Sequence, residues 1–196
     1  MLVMDPAQAE MRPSAAQQAA HAQGPIATIL DAMDEPGYWA EPGPGYRPKY
    51  RSTVWAIIML AQLGASAALD ERVVRACGYV LDHALASGGQ FSASGAPSGT
   101  ADCLQGNLCW ALVTLGCDDP RLEMAYEWMA RTVTGEGLAP VTERKAELRF
   151  YASQCGPSFA CGSNNKLPCA WGGAKVMMAF SVWPTERRTP LIEQAI

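Results

Sequence analysis

The sequence predicts an all-α protein assembled from recurring pairs of one inner and one outer helix, and three observations carry that expectation. Asp102 to Leu115 reads as a helix with no charged residue after Asp102. At ~100° per residue, Leu104, Leu108, Ala111, Leu112 and Leu115 share one arc, and Cys103, Asn107, Trp110 and Thr114 fall opposite. Such a helix packs its leucine side on neighbouring helices and turns thiol, amide and indole groups toward a cavity. The same phrase then recurs. Leu63-Gly64 lies under Leu115-Gly116 at a shift of 52, and Cys169-Ala-Trp-Gly-Gly-Ala lies under Cys103-Leu-Gln-Gly-Asn-Leu at a shift of 66. Finally, each of the first two copies is followed by a short loop and a second, amphipathic helix, as in helical repeat proteins.

Residues 1–22, rich in Ala and Gln, read as a loose lead-in or frayed helix, and 23–196 as the repeat domain. Pro25 to Met33 is a short amphipathic helix with proline in its first turn. Gly37 to Pro48 carries three prolines, three glycines and three aromatic residues, which makes it a structured loop. Thr53 to Leu69 is uncharged but falls short of the ~20 residues of a membrane span and contains Gln62, Gly64 and Ser66, so a buried helix is expected. Asp70 caps an outer helix to Leu85 with Val73, Val74, Cys77, Val80, Leu81 and Ala84 inward. Asp118-Asp119-Pro120 opens the next outer helix, Arg121 to Thr132. Thr134 to Pro168 is a long irregular connection with a helical piece around Glu143–Tyr151, and connections of this length are usually functional. A third inner helix starts near Cys169 and ends at Pro184. Leu191 to Ile196 opens a further helix, so the sequence reads as a fragment or as half of an assembly, with room for a homo-oligomer.

Composition narrows the function. The chain has 196 residues, 49% hydrophobic and only 17% charged, and carries a net charge of −4. That supports one globular domain with a real core and gives no footprint for nucleic acid. Met1-Leu-Val-Met is interrupted by Asp5-Pro6 and lacks a basic start, so no secretory signal is read and a cytoplasmic setting is expected. In that setting the 7 cysteines point to metal binding or burial ahead of disulfides.

The inner–outer pairs joined by Asp-Glu-Arg-Val or Asp-Asp-Pro-Arg-Leu turns resemble the prenyltransferase and squalene-cyclase repeat family. The resemblance extends to Gly-Tyr-Trp (37–39), Gly-Gly-Gln-Phe (88–91), Cys-Leu-Gln-Gly-Asn (103–107) and Leu-Pro-Cys-Ala-Trp-Gly-Gly-Ala-Lys (167–175). It covers residues 25–196 and implies an α/α toroid, here incomplete. It is more specific for fold than for function, because the family spans cyclases, protein prenyltransferases and unassigned proteins. The cyclases' Asp-x-Asp-Asp acid motif has no counterpart. Of the prenyltransferases' Asp, Cys and His zinc set, Asp102 and Cys103 stand in a similar place, but they are adjacent and no His lies near the third repeat.

Three sets of residues are candidates for a site. Cys103 and Cys169 occupy the same position in two repeats, at the N-terminal mouths of inner helices, where the helix dipole favours a thiolate. With Cys155 and Cys161 on the loop leading into Cys169, four thiolates could close a structural zinc site. Reduced or buried thiols and a disulfide stay open as alternatives, and Cys77, Cys109 and Cys117 read as core. Trp55, Ile58, Gln62, Asn107, Trp110, Thr114, Val176 and Phe180 form the second set. They would line a hollow suited to an apolar small molecule, whose indole faces could stabilise positive charge, or would simply fill it as core. Arg47, Lys49 and Arg51, beside Tyr46 and Tyr50, could receive a diphosphate at the mouth or be a solvated loop. His21 and His83 are expected at the surface. The function that follows is a binding or scaffold module with an apolar aromatic cavity and a zinc-held loop. The alternative is an enzyme of isoprenoid metabolism, catalysing prenyl transfer or terpenoid cyclisation, with its catalytic residues open.

Overall fold

The computed structural model describes residues 14–151 and 155–196. Among these residues the chain is mostly helical, and strand pairing is limited to isolated bridges such as Leu85–Phe91 and Ser92–Thr100. Eight α-helices follow one another: α1 (Ala15–Ala22), α2 (Pro25–Asp31), α3 (Thr53–Gln62), α4 (Glu71–Ala84), α5 (Asp102–Thr114), α6 (Arg121–Thr134), α7 (Ala170–Val182) and α8 (Pro190–Ala195). Among the described residues no helix is long and apolar enough to cross a membrane.

Helices α3, α5 and α7, which among them carry only Asp102 and Lys175 as charged residues, stand in a row, α3 against α5 and α5 most extensively against α7. Their amphipathic partners form a second layer, α4 on α3, α6 on α5 and α8 on α6. Helix α5 sits centrally for the reason its sequence suggests. Leu104, Leu108, Ala111, Leu112 and Leu115 are all buried, whereas Cys103, Asn107 and Trp110 are partly exposed and Thr114 is exposed. At Gly106 the α5 backbone passes so close to α7 that an added Cβ would lie 2.4 Å from the Lys175 carbonyl carbon. Only glycine permits that approach.

The 52-residue shift read between Leu63-Gly64 and Leu115-Gly116 is repeated in hydrogen bonds. Helices α3 and α5 both end at a left-handed glycine, Gly64 (φ 79°) and Gly116 (φ 83°). The following amide donates back to the helix each time, Ala65 to the Leu60 carbonyl and Cys117 to the Leu112 carbonyl. The loop before each inner helix is pinned by that helix's first turn. Thr53 Oγ1 accepts from the Trp39 amide at 3.1 Å, and Gln105 Oε1 accepts from the Phe91 amide at 2.5 Å. Helices α4 and α6 each start with an arginine forked onto an aspartate just before it and reaching the preceding helix of that layer. Arg72 joins Asp70 and Asp31, and Arg121 joins Asp119 and Asp82. The parallel makes α2 the outer helix of an earlier repeat, a relation not read from the sequence because α2 is short and its inner partner has no matching phrase. These forks are part-exposed, so they mark register more than they stabilise.

Several expectations change. No helix forms over 143–151; turns there lead into a parallel bridge between Ala139 and Arg149. Glu143, Arg144, Lys145 and Glu147 are all exposed, leaving no apolar face to dock a helix. Leu148 and Phe150 instead join Trp128 and Cys155 in a small second core. Of the expected loose lead-in or frayed helix, residues 1–13 lie outside the described residues, and Ala15–Ala22 is the helix α1, with a Ser14–Gln17 capping box and packed on α2. His21 is buried rather than at the surface, because its Nε2 accepts the Ser66 amide at 3.1 Å. His83 is exposed, as expected. Helix α6 runs two residues past Thr132 and ends at left-handed Gly135.

Candidate functional site

The close passage of α5 and α7 at Gly106 brings their N-terminal mouths together. Cys103 follows the first residue of α5, and Cys169 is the N-cap of α7. Between them lies the loop 155–168. It is held down by Phe159, which packs over Gly172 and Gly173 in the first turn of α7. That paired glycine in an apolar helix start was the sequence signal for a close approach, and Phe159 is its partner. Four non-glycine residues of the loop, Ser158, Phe159, Asn165 and Lys166, take left-handed backbone. Such backbone costs roughly 1 kcal/mol or more per residue outside Asn, so the loop is over-determined by its surroundings.

The thiols are gathered without being joined. Burial raises the Cys103 pKa, and Cys161, Asp102 and Cys169 add to the effect through their charges, so all three groups lie within electrostatic reach of this sulfur. Cys155 is buried beside Asp102; desolvation raises its pKa first, and the Asp102 charge adds to it. All seven cysteines are free thiols. Among the described residues no three Cys, His, Asp or Glu side chains stand as a group that would hold a metal ion. The four cysteines singled out by spacing thus share one end of the inner-helix row, Cys155 deepest, but they do not close on a point.

Asp102 lies beneath this cluster. It is 4% exposed, and neither carboxylate oxygen has a partner at hydrogen-bond geometry. Desolvation pushes its pKa up to about 7, opposed by the nearby Cys155 thiol and Gly156 amide. The sign of the linkage follows. Between the ordinary carboxylate value and about 7, the folded chain holds a proton that the unfolded chain has lost. Stability therefore falls as pH rises through that window and levels off above it. Asp102→Asn is expected to flatten the slope, so that variant and wild type diverge between pH 5 and pH 8 in denaturant titrations. Parallel slopes would show that Asp102 is solvated after all.

The basic–aromatic lip is also at this end. The Lys49 ammonium sits 5.0 Å from the Tyr50 ring centre and 6.0 Å from that of Trp55. Its pKa is raised, by the Tyr50 hydrogen bond first and by Tyr46 and Tyr50 charge next, with a contribution from Cys103. Lys49 thus stands over the aromatic pair at the start of α3. Arg47 and Arg51 are exposed on the same loop. Trp55 is fixed by donation from its Nε1 to the Tyr46 carbonyl at 3.1 Å.

The eight residues expected to line a hollow divide. Trp55, Asn107 and Trp110 are partly exposed and Gln62 and Thr114 are exposed, which makes an open stripe along α3 and α5. Ile58, Val176 and Phe180 are buried in the main core instead. The Gly106 contact explains two of these, since it turns Val176 into the α5 interface and carries Phe180 toward Tyr126, 6.2 Å away between ring centres. Two hollows of about 450 and 160 Å3 lie elsewhere, the first at residues 137–139 and 146–148, the second between α4 and the α5–α6 turn.

Gln105 carried no expectation beyond its place in the repeated phrase, yet it is the most connected polar side chain near the site. Its Nε2 donates to the Gly89 and Ala125 carbonyls, both at 3.0 Å. A buried glutamine inside an uncharged helix was the available signal, since such a group needs partners. Comparison with protein-family models, with characterised proteins and with solved structures finds no match to this chain.

Proposed function

We propose that this chain is an arc of an α/α toroid of the prenyltransferase and squalene-cyclase type that acts as a binding or scaffold module in a reducing compartment such as the cytoplasm. Zinc, on this reading, holds the 155–168 loop onto the mouths of α5 and α7. What supports it is that Cys103 and Cys169 stand at the starts of the packed helices α5 and α7, with Cys161 of the loop within electrostatic reach of Cys103 and Cys155 beside the unpartnered Asp102 carboxylate. Four soft donors suit zinc, and a site filled by all four would be closed to substrate and structural in role. Binding would offset the left-handed backbone that the loop adopts. The open stripe of Trp55, Asn107 and Trp110 offers a face for an apolar small molecule. Exposed Trp171 and Met177 on α7 offer an edge that a second copy could cover.

One observation favours the enzymatic alternative. Lys49, Tyr50 and Trp55 form a basic and aromatic lip at the start of α3, as a mouth receiving an isoprenoid diphosphate would require. Purified protein tests both readings. The module reading expects one zinc per chain, lost in Cys103→Ser and Cys169→Ser, with no turnover of farnesyl or geranylgeranyl diphosphate. Metal-free protein from reducing buffer would remove the zinc, and diphosphate turnover abolished by Lys49→Ala would replace the module by an enzyme.

A further inference from the structure

Cys77 and Cys117 form a second thiol site, apart from the cluster at the helix mouths and independent of the function proposed above. Cys77 lies on α4, 2% exposed, and Cys117 in the turn between α5 and α6. Both line the 160 Å3 hollow, together with Ala67, Val74 and Gly78, and each thiol shifts the pKa of the other. The pair is asymmetric. The neighbouring Cys117 thiol, and then burial, raise the Cys77 pKa; Cys77 lowers that of Cys117 against burial and the Asp119 charge. Packing alone does not require sulfur here. At the matching turn one repeat earlier the position of Cys117 is held by Ala65, which is also buried and makes the matching amide bond.

We propose that Cys77 and Cys117 are a peroxide-reactive dithiol that closes into a disulfide joining α4 to the α5–α6 turn. The Cys117 sulfur, partly exposed, attacks one oxygen of hydrogen peroxide; the S–O bond forms, the O–O bond breaks, and the departing hydroxide takes up the thiol proton and leaves as water. Cys77 then attacks the Cys117 sulfur as its own proton passes to the sulfenic oxygen; the S–S bond forms, the S–O bond breaks and a second water leaves. Two thiols lose two electrons and one peroxide becomes two waters. Asp118 and Asp119 line the same hollow, so a neutral oxidant is favoured over an anionic one such as glutathione disulfide.

The test treats the reduced full chain with a small excess of hydrogen peroxide, blocks remaining thiols by alkylation and identifies linked peptides by mass spectrometry. The expected result is a Cys77–Cys117 link forming ahead of any other pairing, with a higher Tm in the oxidised protein. Cys117→Ala, tolerated because alanine fills the matching position, is expected to leave Cys77 reduced. Cys77→Ala is expected to stop Cys117 at a dimedone-trappable sulfenic acid. Overoxidation of Cys117 to the sulfinic acid in the wild type with Cys77 still free would overturn the proposal. So would either cysteine linking to a different partner, or both surviving while the other thiols are consumed.

Discussion

Gly106→Ala is expected to destabilise the protein, although the same change at an open helical position would stabilise it by about 1 kcal/mol. The added Cβ would stand 2.4 Å from the Lys175 carbonyl carbon and 2.6 Å from its oxygen and from the Val176 nitrogen. These are backbone atoms, so no side chain can swing aside, and α5 must separate from α7. Overpacking of this kind costs about 1–3 kcal/mol. A larger residue, as in Gly106→Leu, should exceed that and take much of a stability typically about 5–15 kcal/mol. Gly173→Ala is the internal control. Its nearest neighbour is the Phe159 ring at 3.8 Å, an ordinary contact, so the helix-propensity gain should appear. Denaturant midpoints read the two signs directly, and a stabilising Gly106→Ala would place α5 and α7 farther apart than described.

Gln105→Ala should be the most damaging polar truncation in the inner row. It leaves the Phe91 amide and the Gly89 and Ala125 carbonyls without their side-chain partner in buried surroundings. At about 1–3 kcal/mol for each orphaned group, a loss of roughly 3–5 kcal/mol is expected. Gln105→Leu should do little better, because filling the volume leaves the same groups unpaired. Hydrogen exchange locates the effect: the Phe91 amide should lose its protection while α3 keeps its own. A loss below about 1 kcal/mol with Phe91 still protected would mean that the Gly-Gly-Gln-Phe turn holds itself.

The inner-helix row was legible because its signals were local. An uncharged Asp102–Leu115 stretch, the repeated Leu-Gly stop and the Asp caps of the outer helices each specify their structure within a few residues. The placing of Cys103 and Cys169 at the starts of two packed helices was legible through the same repeat, since they hold matching positions in it. What escaped were facts set by helix rotation and burial. Val176 and Phe180 shared an arc with Trp110 on paper, but the glycine crossing at Gly106 turns them into the core. Residues 143–151 had helix-forming composition without an apolar face, and composition alone does not nucleate so short a helix. His21 seemed exposed because its partner, the Ser66 amide, is 45 residues away in sequence. The Cys77–Cys117 contact was hidden for the same reason, each cysteine looking like ordinary core when taken singly.

The zinc reading can be met by one measurement, X-ray absorption at the zinc edge on protein purified under reducing conditions. The account predicts a single shell of four sulfurs at about 2.3 Å, and no bound zinc in Cys103→Ser or Cys169→Ser. Stoichiometric zinc surrounded only by nitrogen and oxygen, or no zinc at all, would contradict it.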